Sequence, residues 1–271
     1  MCEDDKPDAN IDWDDAYSNG AYIPDGASYP ARWRVAAAAF RASARAVLDT
    51  PYGAHPRERY DLFLPSGTPR GLALFVHGGY WLAFAKEDWS HLAAGALARG
   101  WAMAMPSYPL CPDVRIRDIV RSCGAAVNAA AAHVAGTIAL SGHSAGGHVA
   151  ARLVCADTPL TGAVAARVAR SAPISGLFDL RPLMRTRMNA TLGLDCDEAK
   201  AESPAHLTPR AGVTVKAFVG ADERPEFLRQ TALLPATWPR AEQRIVASRH
   251  HFNVIDELES PQSELMRFLC P

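Results

Sequence analysis

Beyond residue 59 the chain alternates between short apolar runs and longer stretches in which apolar side chains recur at helical spacing. Residues 60–64 and 72–76 predict strands, and the second is so uniformly apolar that both of its faces must be covered. Residues 101–105, 137–140, 168–174, 213–219 and 243–247 predict five more. Helical patterns fill 87–99, closed by Gly100, then 113–134 and 145–155, with further helices near 225–236 and 261–269. Strand and helix in turn predict an α/β fold, a mostly parallel central sheet flanked by helices on both faces. Upstream, Trp33, Phe40 and Val47 recur every seven residues in an alanine-rich stretch, which predicts an amphipathic helix over 30–49. Residues 1–28, rich in Asp, Gly, Pro and Asn, read as an irregular N-terminal arm across the surface. Residues 177–212 exceed an ordinary connection and read as a lid-like insertion.

Composition narrows this picture without redirecting it. With 271 residues, 49% of them apolar and 21% charged, the chain is expected to fold as a single domain over 1–271. The 28 Lys and Arg against 29 Asp and Glu leave a net charge of −1, so nucleic acid is not expected as a partner. Met1-Cys2-Glu3-Asp4-Asp5-Lys6 is acidic where a secretory leader is basic and then apolar, and no apolar stretch approaches membrane-spanning length. A soluble, cytoplasmic protein acting on a small molecule is expected; a homodimer is allowed but not required. The six cysteines (Cys2, Cys111, Cys123, Cys155, Cys196, Cys270) show no Cys-x-x-Cys pair and read as free, mostly packing thiols.

The chemistry centres on Ser141-Gly142-His143-Ser144-Ala145-Gly146. The Gly-x-Ser-x-Gly spacing lifts a serine hydroxyl to the tip of a tight strand-to-helix turn, where bulk two residues before or after it is not tolerated. Such a pattern arises by chance in about one chain in ten of this length, so its setting must carry the assignment. Strand 72–76 ends in His77-Gly78-Gly79-Tyr80-Trp81, a Gly-rich turn able to aim backbone N–H groups at a developing oxyanion. Gly79, Tyr80 and Ala145 are the expected donors. A serine needs a base, and the base a carboxylate; in this kind of fold they follow in the order Ser, acid, His. His251, directly before an apolar run, is the better placed base, and the adjacent His250 is the alternative. Asp222 and Glu223 both fit the acid by spacing, just after strand 213–219. His143, His148, His55, His91 and His133 have no partner pattern and read as packing or solvent-facing groups. No grouping has metal-ligand spacing, and neither metal nor cofactor is expected.

Taken together these residues resemble the kynurenine formamidase (arylformamidase) branch of the α/β-hydrolases. His77-Gly78-Gly79-Tyr80-Trp81 is similar to its His-Gly-Gly-x-Trp signature. The likeness extends through Tyr17, Asn19, Pro24 and Asp25 in the arm, then Tyr108-Pro109-Leu110-Cys111-Pro112 and the run from Gly142 to Gly146. It continues through Ser175-Gly176-Leu177-Phe178-Asp179-Leu180, Pro182-Leu183, Ser203-Pro204, Pro225-Glu226-Phe227 with Gln230, and His251-Phe252. The resemblance implies His251 as base, Glu223 rather than Asp222 as acid, and hydrolysis of N-formyl-L-kynurenine to formate and L-kynurenine. A glutamate stands where the animal enzymes carry aspartate, which keeps Asp222 open as the alternative acid. An ester or another amide remains the rival substrate, and an inactive hydrolase fold used for binding is the rival from another class. Trp81 and Phe178 are expected to flank an aryl ring, and Arg181, Arg185 and Arg187 to meet a substrate carboxylate.

Overall fold

The computed structural model describes residues 11–271. One eight-stranded sheet runs through it in the order β1-β2-β4-β3-β5-β6-β7-β8. The strands are β1 (Ala46–Pro51), β2 (Arg59–Phe63), β3 (Gly71–Val76), β4 (Ala102–Pro106), β5 (Thr137–His143), β6 (Val168–Ile174), β7 (Thr214–Gly220) and β8 (Ala241–Val246). Only β2 opposes its neighbours; every pairing from β4 to β8 is parallel. Side chains alternate across β3 and so seed two cores. Leu72, Leu74 and Val76 face one, packed by α4 (Ile116–Ala131), α5 (Ala145–Arg152) and α9 (Pro225–Thr237). Ala73 and Phe75 face the other, packed by α2 (Tyr29–Ser43), the segment around α3 (Ala94–Ala98) and α10 (Glu264–Leu269). Every residue of β3 and β4 is buried, which is why their sequences lack polar alternation.

The expected alternation of strands and helices is present, with local differences. The helix over 30–49 stops at Ser43, where Ala44 turns to extended backbone (φ −75°, ψ 142°), and residues 46–51 form edge strand β1. Val47 continued the seven-residue spacing by coincidence and stands half exposed. The stretch 87–99 breaks into two short 3₁₀ turns before α3, because Lys86 points inward to Asp61, 3.2 Å away, and to Asp49, 3.0 Å away. Residues 177–212 are not a free-standing lid. They carry α7 (Asn189–Leu192) and α8 (Cys196–Ala201), and Leu177, Phe178, Leu180, Leu183, Leu192 and Ala199 are buried in the core.

The arm differs most from expectation. Its described part holds α1 (Trp13–Ala16) and two 3₁₀ turns, Gly20–Tyr22 and Gly26–Ser28, and it buries Tyr17, Asn19 and Ile23. Low apolar content hid a segment anchored by a few large side chains. Cys111, Cys123, Cys155 and Cys270 are free and buried, but Cys196 is disulfide-bonded, which corrects the expectation of free thiols throughout. That a chain of this length needs no staple does not keep two cysteines apart. The acidic start with Cys2 lies outside the described residues. No helix among them is long and apolar enough to cross a membrane. The connection between α5 and β6 carries a further helix, α6 (Gly162–Arg167), that the apolar pattern did not announce.

Candidate active site

One residue separates β5 from α5. Ser144 occupies that position at φ 54° and ψ −117°, a conformation forced by the tightness of the turn. A Cβ on Gly142 would lie 2.2 Å from the Gly146 carbonyl oxygen, and one on Gly146 would lie 2.0 Å from that of Val76. Both contacts are to backbone, so the turn closes only around bare Cα atoms. A hydrogen bond from Ser144 N–H to the Ile174 carbonyl (2.8 Å) ties it to β6.

The turn after β3 is strained as well. Gly79 (φ 109°), Tyr80 (φ 51°) and Trp81 (φ 59°) are consecutive left-handed residues, and the two non-glycines cost on the order of 1 kcal/mol or more each. Hydrogen bonds hold the turn open: Leu82 and Ala83 N–H donate to the Gly79 carbonyl at 2.9 and 3.1 Å, and Cys111 N–H donates to that of Trp81 at 2.9 Å. The Tyr80 hydroxyl donates to the Tyr17 carbonyl of the arm at 2.6 Å. Beneath the turn His77 stacks on Tyr108 at 4.3 Å, and the Tyr108 hydroxyl donates back to the His77 carbonyl. Burial drives the His77 imidazole down to about 4, so it is neutral and structural.

At the far ends of β7 and β8 the structure brings Glu223 and His251 together. His251 Nδ1 lies 2.7 Å from Glu223 Oε2, and both side chains are buried. The other carboxylate oxygen accepts from the Ser175 hydroxyl (2.5 Å) and the Gly220 N–H (2.7 Å), so the carboxylate is fully engaged. Asp222, the neighbour that spacing alone allowed, is exposed; its N–H donates to the Arg249 carbonyl. His250 is turned to the Tyr29 hydroxyl, 3.1 Å away. With its Nδ1 proton committed to Glu223, neutral His251 keeps a lone pair on Nε2.

His143, the variable residue of the turn, has a structural task. Its Nε2–H donates to the His251 carbonyl at 2.8 Å, and its ring lies 4.6 Å from the His251 ring. Burial and the neighbouring His251 push its pKa well below the usual imidazole value, which keeps it a neutral donor. Phe227 closes the other side of the His251 ring at 4.5 Å. Nothing in the spacing of His143 signals this; only the strand order places it beneath the last loop.

Ser144, His251, Gly79 and Tyr80 line one cavity of about 180 Å³, together with Gly78 and His143. Ala145 is fully buried and heads α5, where a first-turn amide has no partner within the helix. The remaining wall is Pro30 and four aromatic side chains: Trp33 meets Phe84 and Phe252 edge to face, as Phe84 meets Trp89, at 5.4 to 6.1 Å, and Trp33 lies tilted against Trp89 at 4.6 Å. The arm closes it through Asn19 and Gly20. None of residues 177–212 lines it.

The expected aryl contacts are corrected. Trp81 is fully buried against His148, 5.2 Å away, and Phe178 is fully buried with its N–H on Gln230, so both pack the core instead of the cavity. Trp33, Phe84, Trp89 and Phe252 take that place. Their sequence signal was weak, since each read as ordinary helix or loop packing. The arginines are corrected likewise: Arg181 pairs with Asp179 at 2.8 Å, Arg187 with Asp14 at 2.8 Å, and Arg185 lies over the Trp13 ring. Among the described residues, no Lys or Arg lines the cavity.

A strand-turn-helix serine, a strained Gly-rich turn beside it and a buried His–Glu pair on the last two strand ends define an α/β-hydrolase. Residues 73–270 match the model of the alpha/beta hydrolase family, and the chain belongs to that family. Within it the chain is kynurenine formamidase-like: it is 27% identical over 245 residues to kynurenine formamidase of Salmo salar, covering 84% of this chain and 82% of that one. Its counterpart in Danio rerio is 26% identical over 244 residues, with the same coverage of each chain. Among solved structures, a candidate thioesterase from Silicibacter sp. superposes with a TM-score of 0.94 at 50% identity, covering 96% of this chain and all of that one. Esterase B of Lactobacillus rhamnosis shares the fold at a TM-score of 0.63 and 17% identity, over 88% of this chain and 91% of its own.

Proposed function

We propose that the protein is a serine hydrolase that removes a formyl group from an aromatic amine, with N-formyl-L-kynurenine as substrate and formate and L-kynurenine as products. The observation that carries the reading is the buried Glu223–His251 pair, 2.7 Å apart, whose histidine lines an aromatic-walled cavity with Ser144. Glu223 holds the Nδ1–H tautomer of His251, which leaves Nε2 to take the Ser144 proton. Ser144 Oγ attacks the formamide carbon. The N–H groups of Gly79, Tyr80 and Ala145 receive the charge that develops on its oxygen. His251 then gives the proton to the departing arylamine nitrogen, and water, activated by the same imidazole, releases formate from the formyl-serine. The bond broken is C–N, the bond made and broken again is Oγ–C, and the histidine ends neutral.

The cavity suits this substrate class. A dry cavity of roughly 150 Å³ holds one benzene ring, and the space here is slightly larger and walled by four aromatic side chains. The two fish relatives, covered over most of their length, are kynurenine formamidases. One observation favours a second reading, ester or thioester hydrolysis by the same residues: the 50% identity to the candidate thioesterase. Acid-quenched incubation with N-formyl-L-kynurenine, followed by peptide mass spectrometry, separates them. A formyl adduct on Ser144 is expected; acylation by thioesters or esters only, with no formyl adduct, overturns the formamidase reading.

A further inference from the structure

Resting on the serine-hydrolase reading of the cavity, we infer that Ser175 is a positioning residue. Its hydroxyl, carried at the end of β6, sets the plane of the Glu223 carboxylate so that the other carboxylate oxygen meets His251.

Ser175 stands in left-handed backbone at φ 49°, a conformation that glycine takes freely and serine only under strain. The backbone alone would be better served by glycine. The side chain accounts for the serine: it is fully buried, and its hydroxyl donates to Glu223 Oε1 at 2.5 Å. Strain kept at a residue whose one polar group is aimed at a buried carboxylate points to a task for that group.

The segment from Ile174 to Gly176 joins the nucleophile turn to the acid. The Ile174 carbonyl accepts from Ser144 N–H at 2.8 Å, and Ser175 N–H donates across to the Phe218 carbonyl of β7 at 2.7 Å. Helix α5 lies so close that a Cβ on Gly147 would be 2.8 Å from the Ile174 oxygen and 2.9 Å from the Gly176 Cα. The segment therefore cannot shift relative to Ser144, and whatever Ser175 holds is held in register with the nucleophile.

A glutamate needs such a support more than an aspartate does, because one more rotatable bond separates its carboxylate from the backbone. Three hydrogen bonds fix that carboxylate: His251 Nδ1 on Oε2 at 2.7 Å, and the Gly220 N–H (2.7 Å) and the Ser175 hydroxyl on Oε1. Gly220 belongs to the same turn as Glu223 and moves with it. Of the three donors, Ser175 is the one from β6, the strand that also holds Ser144.

The test measures the pH profile of kcat/KM for p-nitrophenyl acetate in the wild type, Ser175→Ala and Ser175→Gly, and repeats Ser175→Ala in a Glu223→Gln background. Glycine relieves the backbone strain while removing the hydroxyl, so the two single variants separate conformation from hydrogen bonding. Both are expected to lose about tenfold in kcat/KM. The acid limb of their profiles should move up by about half a pH unit, since a carboxylate with one donor fewer is more basic and the Glu223–His251 pair takes up its proton sooner. In the Glu223→Gln background the further loss should be less than about twofold, because Ser175 acts through that carboxylate. Wild-type activity in Ser175→Gly, an unmoved acid limb, or the same fall in both backgrounds shows a merely structural role and overturns the inference. Hydrolysis that survives Ser144→Ala overturns the serine-hydrolase reading and the inference with it, and that control tells this failure from the others.

Discussion

The strand-borne side of the cavity and the arm-borne side are held by different means. Ser144, Gly79 and Tyr80 are fixed by backbone: positive φ values, glycines with no room for a Cβ, and amides tied to neighbouring strands. Asn19 and Gly20 are fixed by side chains reaching from the arm to α9, through Tyr17, Glu226, Gln230, Tyr22 and Arg224. The first kind of support permits almost no variation, because each contact is steric and backbone to backbone. The second is a set of hydrogen bonds and one cation–π contact, each worth about 1 kcal/mol and replaceable singly. The serine turn and the Gly-rich turn thus rest on the rigid side, and the arm's share of the cavity wall on the adjustable one.

Substitutions can break or sharpen this contrast. Ser144→Ala should lower kcat by about four orders of magnitude or more with the fold intact, measured by formate release and by loss of fluorophosphonate labelling. Activity retained at a tenth of wild type would place the nucleophile elsewhere. Glu223→Gln should cost about 10³- to 10⁴-fold in kcat, while Asp222→Asn stays within about twofold, because only Glu223 touches His251. Gly146→Ala tests the steric side of the contrast. With its Cβ 2.0 Å from the Val76 oxygen, it should lose activity by at least about 10²-fold together with several degrees of Tm. On the adjustable side, Tyr17→Phe should destabilise by about 1 kcal/mol and reduce kcat/KM by only a few-fold, seen in urea unfolding and initial rates. A collapse comparable to Gly146→Ala would erase the distinction between the two sides.

A further effect, on stability alone, is one of pH. His77 and His91 are held down to about 4, and His148 to about 3, each chiefly by burial. Below pH 6.5 the unfolded chain binds protons at these positions while the folded chain does not, so stability is present in full above 6.5 and is lost as pH falls toward 4. Each histidine should remove stability on the order of 1–2 kcal/mol between pH 6.5 and 5, read from urea midpoints. His91→Gln should flatten that slope, since glutamine carries no titrating group; an unchanged slope would show that His91 is protonated in the native state or repacks.

Most of the sheet was legible because a buried parallel strand has a distinctive signature: β3 and β4 read as continuous runs of small and apolar residues between turn signals. Ser144, Glu223 and His251 were legible in part, since each follows a strand end, but spacing left Asp222 beside Glu223 and His250 beside His251, and the resemblance chose between them. The edge strand β1 was not, because its pattern of burial depends on one neighbour only and its Val47 continued the rhythm of the preceding helix. The cavity wall was not legible either. Trp33 comes from α2, Phe84 and Trp89 from the broken segment after β3, Phe252 from the last loop and Asn19 from the arm, and no spacing along the chain links them. Mistaking Trp81 and Phe178 for wall residues has the same origin: both are near the right residues in sequence, but their side chains point to the core.

The central claim, a serine hydrolase whose cavity selects an aryl formamide, is tested most directly by comparing kcat/KM of the purified protein for N-formyl-L-kynurenine and for p-nitrophenyl acetate, with Ser144→Ala as the blank. A ratio above one, abolished for both substrates in Ser144→Ala, is the predicted result. A ratio well below one would leave the serine chemistry in place and contradict its assignment to formamides.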